Sequence, residues 1–287
     1  IEKTNEHFID GYYNYIPLPQ KIKNEKIQLI EIIPINNGES FDIHYKYQIT
    51  IKDVQQLNDE EIDNYVSIDL GVVNLMTIYD PSGEQIIING KHVLKINHDY
   101  NYKIDKLKSK LKKKNNKHIS KKITALLKRR NHKINNYFNL IVKLLIKKYP
   151  KKIFVIGYNT NWKNKVKMGK KNNRTFYEIP YCMLLNKLKF QLKCNGQTVE
   201  INEESYTSKC DALAFEDIKK QKSYQGKRIT RGLFKSSTGQ LLNADLNGAI
   251  NILRKYLLRK LNKKLTLIKG CNIFNPIRIN VFCDVCK

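Results

Sequence analysis

The first patterned stretch, within residues 22–52, holds two β-rich runs, KIQLIEIIPI and FDIHYKYQITI. The NNGES between these β-rich runs carries Asn-Gly hairpin chemistry. The acidic run DVQQLNDEEIDN, 53–64, breaks the pattern and reads as a linker, with a boundary near residue 60. From Tyr65, YVSIDLGVVNLMTIYD predicts a strand, a Gly-containing turn and a second strand; PSG turns the chain and EQIIING adds a third, giving an antiparallel meander. Residues 100–149 change to helical spacing, with Ile104, Leu107 and Leu111 on one helix and Ile119, Ile123, Leu126, Ile134, Phe138, Ile141 and Leu145 on the next. Asn115 and Asn116 mark the break between them. Pro150 stops the second helix and KKIFVIGYN is a fourth strand. Residues 163–176 read as a polar, lysine-rich loop. IPYCMLLNKLKFQLKCNG is an amphipathic helix bracketed by Pro180 and Gly196, QTVEIN a fifth strand, and a basic loop through GKRITRGLF leads to a last helix in NADLNGAINILRKYLLRKL.

Strand, strand, strand, helices, strand, helix, strand, loop, helix is the element order of an RNase H-like α/β fold, in which a twisted sheet gathers acids from separate strands at one end. The expected organisation is a partial β module over 1–60 and an RNase H-like (RuvC) domain over 61–287, with a basic helical pair at 100–149.

Charge sharpens this picture. Lys and Arg number 53 against 26 Asp and Glu, a net +27, which calls for a polyanion. Nucleic acid is favoured over a membrane, because every apolar run is shorter than the roughly 20 residues a bilayer span needs. Six cysteines without a disulfide rhythm point to a reducing intracellular compartment. Lysine runs such as KSKLKKKNNKHISKK and LLKRRNHK nominate Lys113, Lys121, Arg129 and Arg130 as phosphate contacts, and Lys227, Arg228 and Arg231 lie near the acids considered next.

Asp69 interrupts an apolar strand, where an isolated carboxylate is costly unless a cation or donors compensate it. Asp245 precedes a helical run, where charge stabilisation of the helix start is the simpler role. Glu203 and Glu204 follow the fifth strand, and strand alternation does not choose between them, since a bend at the strand end would change the facing. Three carboxylates meeting at one rim could hold two Mg²⁺ ions roughly 4 Å apart, which activate water and stabilise the leaving oxygen of a phosphodiester.

VSIDLGVVNLMTIYD, EESYTSKC and NADLNGAINILRK resemble, in order, the three nuclease motifs of the TnpB family of transposon-encoded, RNA-guided nucleases often described as transposases. LKRRNHKINNYFNLIVKLL is similar to the helix before the family's fourth strand. The resemblance implies a DNA endonuclease working with a guide RNA and Mg²⁺, with Asp69, Glu204 and Asp245 as catalytic metal ligands. It departs from the usual pattern at IFVIGYNTNW, where Gly157 stands in place of the middle glutamate. A subset including the Fanzors carries a relocated glutamate before a Y-x-T-S-like run, and EESYTS matches that arrangement; Glu204 is the better match and Glu203 the alternate. Many relatives carry two Cys-x-x-Cys pairs in the region corresponding to 205–240. Only Cys210 is found there, so the position reads as a degenerate zinc ribbon and zinc is not expected; CDVC at 283–286 is a lone pair. The front β module corresponds to part of the family's wedge-like barrel. Two rivals remain: a truncated, inactive nucleic-acid-binding remnant, and a basic structural protein of ribonucleoprotein particles whose acids are scattered.

Overall fold

The computed structural model describes residues 6–9, 12–15, 18–35, 38, 40–49, 61–115, 120–159, 170–265, 268 and 273–282. The chain forms two compact units, Ile1–Lys52 and Asp53–Lys287. In the first, β1 (Glu6–Ile9) pairs with β2 (Tyr12–Tyr15), a hairpin that periodicity did not single out, and β3 (Ile27–Ile35) pairs antiparallel with β4 (Ser40–Tyr47). These are two separate two-stranded sheets. Most of the linker expected at 53–64 lies outside the described residues.

The second unit is mixed α/β. Its strands are β5 (Tyr65–Leu70), β6 (Asn74–Tyr79), β7 (Ile86–Asn89), β8 (Ile153–Gly157), β9 (Val199–Asn202) and β13 (Ile277–Ile279), joined in the order β13-β7-β6-β5-β8-β9. The first three form the expected meander. β8 and β9 then add parallel beside β5, and β13 adds parallel on the far edge, against β7. β13 was not anticipated, because three residues carry no readable period.

Two layers of helix enclose the sheet. α1 (Lys91–Asn115) starts nine residues before the helical spacing expected from residue 100, and α2 (Lys121–Lys148) is capped by the Ser120 hydroxyl, which accepts from the Ile123 N–H at 3.3 Å. α2 and α4 (Tyr181–Cys194) cover one face with Phe138, Ile141, Leu145, Leu184 and Leu188, meeting Val66, Ile68, Phe154 and Ile156 in a dry core. Each such side chain contributes about 1.5–3 kcal/mol on burial. The lysine-rich stretch expected as loop contains a short helix, α3 (Lys170–Tyr177), pinned by buried Phe176. The opposite face packs on α5 (Ala244–Leu261) through Tyr65, Val155, Ile250, Leu253 and Leu257.

Between β9 and α5 the expected basic loop is a small antiparallel sheet of β10 (Lys227–Thr230), β11 (Leu233–Lys235) and β12 (Leu241–Asn243). Buried carboxylates organise it. Asp211 Oδ2 accepts from Ser236 Oγ at 2.9 Å and the Ser237 N–H at 2.7 Å, while Glu216 Oε2 accepts from the Asp211 N–H at 2.7 Å. Asn247 and Asn251 on α5 donate to the Cys210 carbonyl at 2.8 and 2.7 Å, so the segment is laced to the helix.

Candidate active site

Strand register brings the nominated acids to one rim. β5 and β8 run parallel with Ile68 opposite Ile156, and β8 and β9 run parallel with Gly157 opposite Asn202, so three strands end together. Along β5, Val66, Ile68 and Leu70 enter the apolar core; alternation therefore turns Asp69 to the other face, with Ser67, whose hydroxyl donates to the Ala249 carbonyl of α5 at 2.6 Å. Asp69 Oδ2 lies 2.9 Å from where a Cβ on Gly248 would stand, so the absence of a side chain there makes its room.

Asp245 occupies the first turn of α5, one turn before Gly248. The Asn243 side chain caps that end, accepting from the N–H groups of Asp245 and Leu246 at 3.0 and 3.2 Å. Both Asp245 oxygens are engaged: Oδ1 accepts from Arg228 Nη2 at 3.0 Å and Oδ2 from Asn74 Nδ2 at 2.7 Å.

Glu204 follows β9 by two residues. The Asn202 side chain faces α5 and donates to the Ile252 carbonyl at 3.1 Å. The Glu204 N–H donates to Asn159 Oδ1 at 3.1 Å, and its carbonyl accepts from the Thr207 N–H and hydroxyl at 3.2 and 2.7 Å. Tyr206 closes this turn in the left-handed region, at φ 69°, a conformation costly for a bulky residue. The Glu204 carboxylate reaches back across the end of β8: Oε2 is 2.9 Å from the Cβ position of Gly157. Glu203 diverges from it. Exposed, it pairs with Lys255 of α5 and accepts from the Ser205 N–H at 2.8 Å.

The electrostatics follow from this crowding. Burial, then repulsion from Glu204 and from Asp245, holds the Asp69 carboxyl well above the usual range, with Arg228 and the Leu70 N–H opposing. Part of Asp69 still reaches solvent at the rim. Glu204 is pushed up to about 7 by burial and by Glu203, against Lys255. For Glu203, burial is outweighed by hydrogen bonds from Lys255 and Ser205, and its pKa is lowered. Tyr181, whose hydroxyl donates to the Gly71 carbonyl at 2.8 Å, has its pKa raised by burial and by the fields of Asp69 and Glu204.

Among the described residues, no three His, Cys, Asp or Glu side chains close around a single metal position. The three carboxylates are hard oxygen donors, the kind a divalent cation takes, and Asp69 feels the field of both others.

The nominated cations fall into two groups. Lys113, Lys121 and Arg129 are exposed on α1 and α2, and Lys227 and Arg231 on the β10–β11 hairpin. Arg130 is committed internally, donating to Asn97 Oδ1 and the Glu178 carbonyl, both at 2.9 Å, and Arg228 is bound to Asp245 and to the Arg231 carbonyl. The Cys283–Cys286 pair lies outside the described residues. Reading the sequence missed Asn74 and Lys255, which hold Asp245 and Glu203; the one available signal for Asn74 was a polar residue just after the Gly71 turn, opening an otherwise apolar strand.

Residues 44–158 match the family OrfB_IS605, described as a probable transposase. A solved Cas12f1–sgRNA–target DNA complex is similar in fold, with a TM-score of 0.54 and 20% identity, over 81% of this chain and 47% of that chain. A CRISPR–Cas12f ternary complex gives a TM-score of 0.47 and 18% identity, over 81% and 46%. The chain thus spans about half the length of these solved proteins. No curated protein matches it. Among the described residues, no helix is long and apolar enough to cross a membrane. The fold is mixed α/β and similar to that of the Cas12f1 chain. The match to the transposase family covers less than half of the chain and is a likeness of that stretch.

Proposed function

We propose that the chain is a DNA endonuclease that hydrolyses phosphodiesters with divalent cations held by Asp69, Glu204 and Asp245. The observation that carries the reading is the Glu204 carboxylate lying over Gly157. By the resemblance, the glycine stands where TnpB sequences place their middle glutamate, and an acid just beyond the neighbouring strand β9 reaches into the same space. A bound pair of Mg²⁺ ions would supply an activated water and stabilise the leaving oxygen. Asp69, which feels both other acids, would hold the shared side; Glu204 and Asp245 would each hold one flank. The Gly248 and Gly157 surfaces give the first two carboxylates their room, and Asn74 fixes the third. Lys227 and Arg231 would meet phosphates beside the site, and the cations of α1 and α2 would track a nucleic-acid backbone by charge. Likeness to the Cas12f1 complex supports a guide RNA and a DNA target as partners, with residues 1–60 contributing part of a wedge-like module.

Asp69→Ala should abolish Mg²⁺-dependent cleavage by the full chain co-purified with its RNA, while nucleic-acid affinity stays nearly constant. Equal cleavage by both proteins would overturn the assignment. One observation favours a second reading, a protein that binds without cutting: Arg228 already occupies an Asp245 oxygen. That reading expects no cleavage from the unaltered chain in the same assay.

A further inference from the structure

Asp245 is tied, through one intervening side chain, to the strand that closes the far edge of the sheet. β13 lies parallel to β7 with Arg278 opposite Ile87, anchored by the Ile277 N–H donating to the Gln85 carbonyl at 2.8 Å. Arg278 Nη1 donates to Asn74 Oδ1 at 3.0 Å, and Asn74 Nδ2 donates to Asp245 Oδ2 at 2.7 Å.

The chemistry of the three groups allows only one orientation of the amide. A guanidinium can only donate, so the Asn74 carbonyl must face Arg278, and the NH₂ is left to face the carboxylate, which can only accept when ionised. Reversed, the amide would present its carbonyl oxygen to Asp245 and its NH₂ to a cation, two repulsive contacts. Asn74 is 8% exposed, so solvent has little access to repair the mismatch.

We propose that Arg278 is a positioning residue for the cation site: it fixes the Asn74 amide, which fixes the Asp245 carboxylate. The inference rests on the reading that Asp245 holds a divalent cation. It makes β13 part of the site's support, although Arg278 touches none of the proposed ligands. A partner that directly holds a ligand, as Asn74 does here, typically costs about 10–100-fold in metal affinity when removed, and Arg278, one contact further out, belongs at the low end of that range.

The test is Mn²⁺ binding to the full chain, followed by the electron paramagnetic resonance of free Mn²⁺. Arg278→Met should weaken binding about tenfold, and Arg278→Lys, which keeps a donor, should recover most of it. In an Asn74→Ala background, Arg278→Met should have no further effect, because the link is already cut. Ile277→Ser, at an exposed position of the same strand that does not touch the amide, should leave affinity near that of the unaltered chain, which separates the Arg278 contact from a general effect of substitution in β13. Unchanged affinity in Arg278→Met, or an equal loss in the Asn74→Ala background, overturns the relay. Asp245→Asn distinguishes the premise: if it leaves Mn²⁺ binding intact, the cation reading of Asp245 falls and the relay with it, whereas if it abolishes binding while Arg278→Met does not weaken it, the relay alone falls.

Discussion

The two faces of the central sheet are built on opposite plans. Toward α2 and α4, the strands present only apolar side chains, and Val66, Ile68, Phe154 and Ile156 are sealed from solvent. Toward α5, the same strands carry Ser67, Asp69, Gly157 and Asn202, and the helix answers with Asp245 and Gly248. The first face is purely apolar packing, while the second mixes its polar rim with a buried cluster that includes Tyr65, Val155 and Ile250. The second accepts like charges in close company, a cost that the first must offset, as is common where a site needs strained groups.

Breaking the apolar face should have the largest effect on stability. Phe154→Ala should cost about 3–5 kcal/mol in urea unfolding, whereas Asp69→Asn, which removes repulsion on the polar face, should leave the metal-free protein as stable or more so. A loss at Asp69→Asn comparable to that at Phe154 would erase the distinction. Next in size is Gly157→Ala, whose new Cβ meets Ile252 and Glu204. Overpacking of this kind costs about 1–3 kcal/mol, again read by urea unfolding.

A further effect is a pH dependence at the polar face. Glu204 has its pKa raised to about 7, so the folded chain holds that proton more tightly than the unfolded one. The associated stability is present below the unfolded pKa near 4.5 and is lost as pH rises through about 7; Asp69 acts in the same direction. Glu203 is lowered and acts oppositely, losing its contribution as pH falls through its depressed folded pKa, below the window of Glu204. The melting temperature of the metal-free protein should therefore fall between about pH 5 and about pH 8, and Glu204→Gln should flatten that fall. An identical slope in both proteins would show that the polar face is not under electrostatic load.

Most of the sheet could be read from the sequence because β5 to β9 are apolar runs set off by turns and helices, and Asp69 stood out because a charge inside such a run needs a reason. Strand alternation did not choose between Glu203 and Glu204, since their facing depends on a turn that closes through Tyr206 in a left-handed conformation; the resemblance alone favoured Glu204. β10 to β13 are too short to show a period. α1 begins early because Val93 and Ile96 bury while the polar residues around them hide the pattern. Arg130 was nominated as a phosphate contact on local charge alone, but its acceptors, Asn97 and the Glu178 carbonyl, come from distant parts of the chain.

One helix sets the spacing of the whole polar face. Along α5, Asp245 stands at the rim, Gly248 lies under Asp69, Ile252 crowds Gly157, and Lys255 grips Glu203. A residue inserted near its start would swing everything beyond it by about 100° and shift it by about 1.5 Å, undoing all of these fits at once. Length can therefore drift in the hairpins that precede this helix, but the helix itself works as a fixed ruler whose graduations cannot be moved singly.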